Sequence, residues 1–319
     1  MILCAGEALI DMLPRQSTSG ENAFAPLAGG SVFNTSIALG RLGAPVQFFS
    51  GLSSDLFGDV LRAELAASKV ASSPASISDR PTTLAFVKLT NGHASYAFYD
   101  ENTAGRLITA NDLPEVTADA IFFGGISLVV EPCAAAYQAL MLREAPTRVT
   151  MIDPNIRPGF ITDEAAYRAR LTSMFAVADI MKTSDEDLQW ITGGTDASVL
   201  FEGTSVQIIL LTKGSEGVTV LTRDGSVDVR AVKAQVVDTV GAGDTFSAGF
   251  VANLDARGLL TKAKIGSATM EELTQAAAFG AKVAAITVSR AGANPPWADR
   301  KSTRLNSSHS GESRMPSSA

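Results

Sequence analysis

The stretch VVDTVGAGDTFSAGF, residues 236–250, decides how the rest of the chain is read. The apolar pair Val236-Val237 reads as the end of a strand closing at Asp238. Gly241-Ala242-Gly243 and Asp244 follow, and then a helix built of small residues. Glycines at a strand-to-helix turn let successive backbone N–H groups converge on one point, and the helix N-terminus adds positive potential there. Such a point holds a phosphate or a developing negative charge. A carboxylate beside it, Asp244, can accept the proton of an attacking hydroxyl while the amides stabilise the transferred group. A tight turn with Asp244 as a helix cap is the competing reading for a bare GxGD; Asp238 and the small-residue helix favour the anion site.

Outward from this stretch the chain alternates. Strands are expected at 1–6, 46–50, 119–124, 148–153, 179–182, 207–213, 217–221 and 227–230. Helices are expected at 31–41, 56–67, 132–144, 163–176, 185–192, 242–255 and 270–286, with Asp55 as an N-cap. Such alternation predicts an α/β fold with a mostly parallel sheet and helices on both faces. Ligands then bind beyond the carboxyl ends of the strands.

Two segments break the pattern. Residues 12–28 are rich in turn formers and read as an excursion from the core. In TTLAFVKLTNGHASYAFYD (82–100), Asn91-Gly92 separates two alternating runs, a strong hairpin signal. Together they predict a small β-layer over the main domain.

The chain has 319 residues, 46% of them hydrophobic and 18% charged, with a formal charge of −7. These values exclude disorder over most of the length, and an acidic chain has no basic surplus for nucleic acid. The two cysteines, Cys4 and Cys133, cannot build a disulfide framework and read as buried apolar residues in a reducing compartment. There is no basic leader before Glu7 and Asp11 and no apolar run of about 18 residues, so a cytoplasmic protein without membrane contact is expected. Residues 301–319 hold seven serines and read as a disordered, non-native tail, in which His309 carries no weight. No GxxxxGK[ST] occurs, and no full GxGxxG follows the first strand, which disfavours P-loop enzymes and dinucleotide dehydrogenases.

A second glycine stretch, Gly29-Gly30-Ser31-Val32-Phe33-Asn34, opens the first helix, where glycines permit close backbone approach and Asn34 can donate and accept. GGSVFNTSIALGRLG (29–43) and DTVGAGDTFSAGF (238–250) together resemble the two signature regions of the ribokinase-like (PfkB) carbohydrate kinases, as does the opening CAGEALIDM. The resemblance spans residues 1–297, with lid segments at about 12–28 and 82–107 and the remnant 298–319 outside. It implies a three-layer α/β sandwich with a β-sheet lid, and an enzyme that phosphorylates a small sugar with ATP and Mg²⁺.

The same resemblance implies residue roles. Asp244 is the base, and the amides of Gly241, Ala242 and Gly243 form the anion hole. Asp11, Gly29, Gly30 and Asn34 meet the sugar, and Arg157 of the complete D-x-N-x-R pattern 153–157 contacts sugar or phosphate. Phe98, ahead of Tyr96, packs on a sugar face. Lys182-Thr183-Ser184-Asp185-Glu186-Asp187 occupies the place of an N-x-x-E motif with Ser184 and Asp187 at its two positions, which a capping box explains equally well. Lys182, Ser184, Thr212, Gly214 and Gly217 fall on the nucleotide side, and Asp187 on a metal. Asp238 and Val240 match a monovalent-cation site, with K⁺ as the ion. The segments FYDENTAGRL and KTSDEDL look most like bacterial fructokinases, with 2-keto-3-deoxygluconate kinase and ribokinase as alternatives and a catalytically silent binder as a different class. Dimerisation through the lid is a further family-level expectation.

Overall fold

In the computed structural model, residues 1–90, 93–298 and 305–306 are described. The first strand, β1 (Ile2–Ala5), leads into a hairpin of β2 (Leu9–Gln16) and β3 (Asn22–Gly29), then α1 (Ser31–Arg41) and β4 (Val46–Phe49). Short β5 (Gly51–Ser53), α2 (Leu56–Ala67) and β6 (Ser76–Ser78) precede a second hairpin, β7 (Leu84–Thr90) and β8 (His93–Tyr99). Alternation resumes with β9 (Ala120–Gly124), α3 (Cys133–Glu144), β10 (Val149–Asp153), α4 (Glu164–Phe175), β11 (Ile180–Ser184), α5 (Asp185–Thr192) and β12 (Ile208–Thr212). The antiparallel β13 (Gly217–Thr222) and β14 (Gly225–Arg230) are followed by α6 (Ala242–Ala256) and α7 (Met270–Val288). The expected helices all form, within a few residues of their predicted ends.

The central sheet has eight strands in the order β14-β13-β12-β11-β10-β9-β1-β4. Neighbours from β4 to β12 run parallel, and β13 and β14 close one edge antiparallel. Strands of a sheet covered on both faces are apolar throughout, and β1, β9 and β10 are buried along their whole length. Alternate residues serve opposite cores: Cys4 and Phe122 pack with α1 and α6, while Leu3 and Phe123 pack with α3 and α4. The result is a three-layer α/β sandwich. On one face α6 and α7 interlock through glycines, since a Cβ on Gly249 would sit 2.7 Å from Gly280 Cα. Tight packing therefore accounts for Gly280 in α7.

The lid is a four-stranded sheet, β3-β2-β7-β8. Its register places Asp11 opposite Ala85 and Ala85 opposite Phe98, so Asp11 and Phe98 share one face. Thr90 pairs with His93 across the hairpin; Asn91 and Gly92, which predicted it, lie outside the described residues. So do His309 and most of the stretch 301–319. Among its described residues, β16 (Leu305–Asn306) pairs antiparallel with β15 (Trp297–Ala298), where the composition predicts no structure. No helix among the described residues is long and apolar enough to cross a membrane. Both cysteines are buried.

One expectation fails. Val236 and Val237 do not form a strand; they are 62% and 61% exposed in an irregular segment. They lie in the connection between β14 and α6 and join no sheet. Their backbone finds another acceptor: the N–H groups of Val237 and Asp238 donate to the carbonyl of Val288 at 2.8 and 3.2 Å, at the C-terminus of α7, where helical carbonyls lack partners.

Candidate active site

A cleft of about 310 Å³ lies between the lid and the C-terminal ends of the central strands. Asp11, Phe98, Arg157, Lys182 and Asp244 line it, together with Gly30, Asn34 and the turn Val240 to Gly243. The sequence places these residues up to 233 positions apart; the parallel topology gathers them at one edge.

Asp244 sits in the first turn of α6, 8% exposed. Its two oxygens are held separately. Ser31 Oγ donates to Oδ1 at 2.8 Å, and Asn34 Nδ2 donates to Oδ2 at 2.9 Å. Burial raises its pKa, while those two hydrogen bonds and the charges of Lys182 and Arg157 oppose the rise. Gly241 caps the helix in the left-handed region, φ 74°, which a residue with a Cβ rarely adopts. First-turn amides of a helix have no intrahelical acceptor. Of the three glycine-turn amides, Ala242 N–H donates weakly to the Thr239 carbonyl at 3.3 Å.

Lys182, on β11, is buried with its Nζ 3.0 Å from Oδ2 of fully buried Asp153 on β10. Its Nζ also lies 3.2 Å from where a Cβ on Gly243 would stand, beside the glycine turn. Burial pushes Asp153 up to about 6 against the charge and hydrogen bond of Lys182, and no donor meets Oδ1. Asp11 is likewise pushed up to about 6, first by burial and then by the charge of Asp244.

The lid contributes aromatic surface. Tyr96 stacks on Phe98 with ring centroids 5.9 Å apart, and Phe98 meets Phe160 at 4.7 Å. Phe160 follows Arg157 in a short turn, so lid and body touch beside the cleft. Asn155, at φ 44°, also lines the cleft.

Several predicted residues serve this edge indirectly. A Cβ on Gly29 would lie 2.3 Å from Asp11 Oδ2, so that glycine makes room for the carboxylate. Ser184 and Asp187 form a capping box on α5, and Asp187 Oδ1 also accepts from Ile156 N–H at 3.0 Å. Asp187 thus anchors the 153–157 loop, and its oxygens are engaged by backbone. Thr212 donates to the Thr183 carbonyl at 3.3 Å, next to Lys182, outside the cleft wall. Gly214 starts a tight turn, and Gly217 is required by hairpin packing, because its Cβ would lie 2.1 Å from the Val229 carbonyl. Asp238 accepts from Val240 N–H at 3.0 Å and Gly292 N–H at 2.9 Å, tying the turn before α6 to the loop after α7.

Sequence reasoning missed Ser31 and Glu7 as members of the site. Both stand inside quoted motifs, but their partners are distant in the chain, and nothing local announces them.

The chain matches the family model described as pfkB family carbohydrate kinase over residues 1–300. It is 53% identical over 272 residues to a fructokinase of Rhizobium leguminosarum bv. trifolii, covering 84% of this chain and 83% of that protein. Fructokinase-1 of Zea mays is 31% identical over 310 residues, 92% of this chain and 94% of that one. The fold superposes on the crystal structure of fructokinase with bound ATP from Xylella fastidiosa with a TM-score of 0.84, at 30% identity, covering 92% and 93% of the two chains.

Proposed function

This chain belongs to the pfkB family of carbohydrate kinases, and we propose that it transfers the γ-phosphate of ATP to O6 of D-fructose, with Asp244 as the base. That it is an ATP-dependent sugar kinase follows from its family and its fructokinase relatives. One observation carries the residue assignment: a buried carboxylate, fixed at both oxygens, opens a helix beside a glycine turn in the cleft.

In this reading Asp11 and Asn34 hold sugar hydroxyls, Gly29 and Gly30 give them room, and Phe98 covers an apolar face of the ring. Asp244 takes the proton of the attacking hydroxyl. The amides of Gly241, Ala242 and Gly243 lower the energy of the charge on the transferred phosphoryl group, and Lys182 and Arg157 add positive charge. The nucleotide extends from Lys182 and Ser184 toward Thr212, Gly214 and Gly217, along the ends of β11 and β12.

Mg²⁺ fits as an ion carried on ATP. Among the described residues no cluster of three metal-ligating side chains exists, and a hydrated Mg²⁺ needs few protein ligands. Asp153, whose Oδ1 faces no donor while Oδ2 pairs with Lys182, would hold it through water, with Asp187 behind. When bound, the ion would spread the charge of the phosphates. A monovalent cation, K⁺, would lie where Asp238 and Val240 meet the 289–296 loop. The lid exposes Phe24, Leu27, Tyr96 and Tyr99, which supports a homodimer through that sheet. A cytoplasmic location is part of the proposal.

The test is coupled ADP release with fructose, ribose, 2-keto-3-deoxygluconate and adenosine as acceptors, with Asp244→Ala as control. Turnover concentrated on fructose and lost in the variant supports both parts. Turnover concentrated on another sugar keeps the mechanism and rejects the acceptor; none on any acceptor favours a silent binder.

A further inference from the structure

Glu7 lies in the β1–β2 connection, 8% exposed, at the wall of the same cleft. Its carboxylate joins two segments. Oε1 accepts the backbone N–H of Ser31 at 2.9 Å, and Oε2 accepts that of Ser127 at 3.3 Å. The surrounding backbone is shaped to this side chain. Gly30 and Gly125 both take positive φ, 106° and 69°; a Cβ on Gly125 would lie 2.0 Å from Glu7 Oε1, and one on Gly30 would lie 2.9 Å from the Glu7 carbonyl.

Ser31 is the first residue of α1, and the N-cap Gly30 has no side chain with which to cap it. Glu7 therefore performs the capping from another segment, placing a carboxylate where a helix N-terminus favours one. That same first turn carries both donors that fix Asp244: Ser31 Oγ and Asn34 Nδ2. The chain of contacts runs from Glu7 through the Ser31 backbone to the α1 terminus, and from there to both oxygens of Asp244.

We propose that Glu7 is a positioning residue for phosphoryl transfer, acting through Ser31 and the first turn of α1 to aim the Asp244 carboxylate. The inference rests on Asp244 being the base. It separates the role of Glu7 from sugar binding. Misplacing a reacting group by about 1 Å costs on the order of 100-fold in rate, so loss of the Glu7 anchor falls on kcat.

The experiment is a steady-state cycle of Glu7→Gln, Ser31→Ala and the double variant, with Asp244→Ala alongside, on soluble protein with a measured melting midpoint. In Glu7→Gln the amide keeps one acceptor but presents an N–H to the second backbone donor. Its kcat falls about 10- to 100-fold, with the KM for fructose and for ATP within about threefold of wild type. Ser31→Ala lowers kcat about tenfold through loss of one hydrogen bond to a charged group. In the double variant the factors do not multiply, because both changes act along one line of contacts.

Wild-type kcat in folded Glu7→Gln overturns the proposal, as does a purely multiplicative double variant or a loss confined to KM. A lower melting midpoint with unchanged kcat makes Glu7 structural only and also overturns it. Should Glu7→Gln be insoluble, Glu7→Asp draws the carboxylate back by one methylene, and wild-type kcat there has the same meaning. If Asp244→Ala itself turns over normally, the base assignment falls, which is distinct from Glu7 failing while Asp244→Ala is inactive.

Discussion

Ser31 lies 213 residues before Asp244 in the chain, yet its hydroxyl donates to the Asp244 carboxylate at 2.8 Å. Two helix N-termini, those of α1 and α6, meet at this bond. A buried carboxylate without donors would protonate; here one donor on each oxygen, from the start of α1, opposes the burial that raises its pKa.

Replacing Asp244 by alanine removes the proposed proton acceptor while leaving the glycine turn and Lys182. Turnover falls by about 10²- to 10⁴-fold, the usual worth of general base catalysis. ATP affinity by calorimetry stays close to wild type. Retention of turnover above a tenth of wild type would reject the assignment.

Gly241→Ala meets two obstacles. The residue sits at φ 74°, and the new Cβ would lie 2.5 Å from Ala293 Cβ. Strain of this kind costs about 1–3 kcal/mol, read as a shift in the urea midpoint. Because the adjoining amides are displaced with it, kcat falls as well. An unchanged midpoint together with wild-type kcat would show that the turn tolerates a side chain.

Asp153 and Lys182 form a buried ion pair at 3.0 Å. Asp153→Asn leaves an ammonium group buried without its countercharge, which destabilises by about 3–5 kcal/mol. Asp153→Asn combined with Lys182→Met removes both charges and recovers most of the loss in denaturant unfolding, while activity stays low because Lys182 is gone. Equal instability of the single and double variants would contradict the pair's coupling.

Asp11 is pushed up to about 6. In its proposed role as acceptor for sugar hydroxyls, its carboxylate protonates as pH falls through 6 and stops accepting, so the KM for fructose rises toward acid and levels off above about pH 7. Stability moves the opposite way: a raised carboxyl pKa makes the folded state bind more protons than the unfolded one. The contribution of Asp11 is therefore greatest below the ordinary Asp value near 4 and is lost as pH rises through 6. Asp11→Asn flattens the acid rise in KM. A KM independent of pH from 5 to 8 in the unmutated protein would exclude this role.

Much of the architecture was legible because it is local. Period and punctuation place the helices, and the glycine turn before Asp244 stands, as read, at a helix N-terminus lining the cleft. The capping box of Ser184 and Asp187 could be read from four residues and is present. Less legible was anything that depends on strand order. Val236 and Val237 look like a strand by composition, but their segment is held by the end of α7, through the Val288 carbonyl, and not by a sheet. Glu7 and Ser31 look like an ordinary acid and an ordinary helix start; their roles exist only because β1 lies beside β9, and α1 beside α6. Lys182 was placed on the nucleotide side by motif, but its pairing with Asp153 depends on β10 lying beside β11.

The lid is made of two hairpins that pair with each other and stand outside the eight-stranded register. Residues facing the cleft from the second hairpin, such as Phe98, can therefore change without disturbing any strand that carries Lys182 or any helix that carries Asp244. Under the proposed reading, the acceptor-facing surface around Phe98 is free to vary in isolation, whereas Thr83, Asp100 and Arg106 at the two ends of the same segment share a small cavity with Glu7 and are held to the body of the protein.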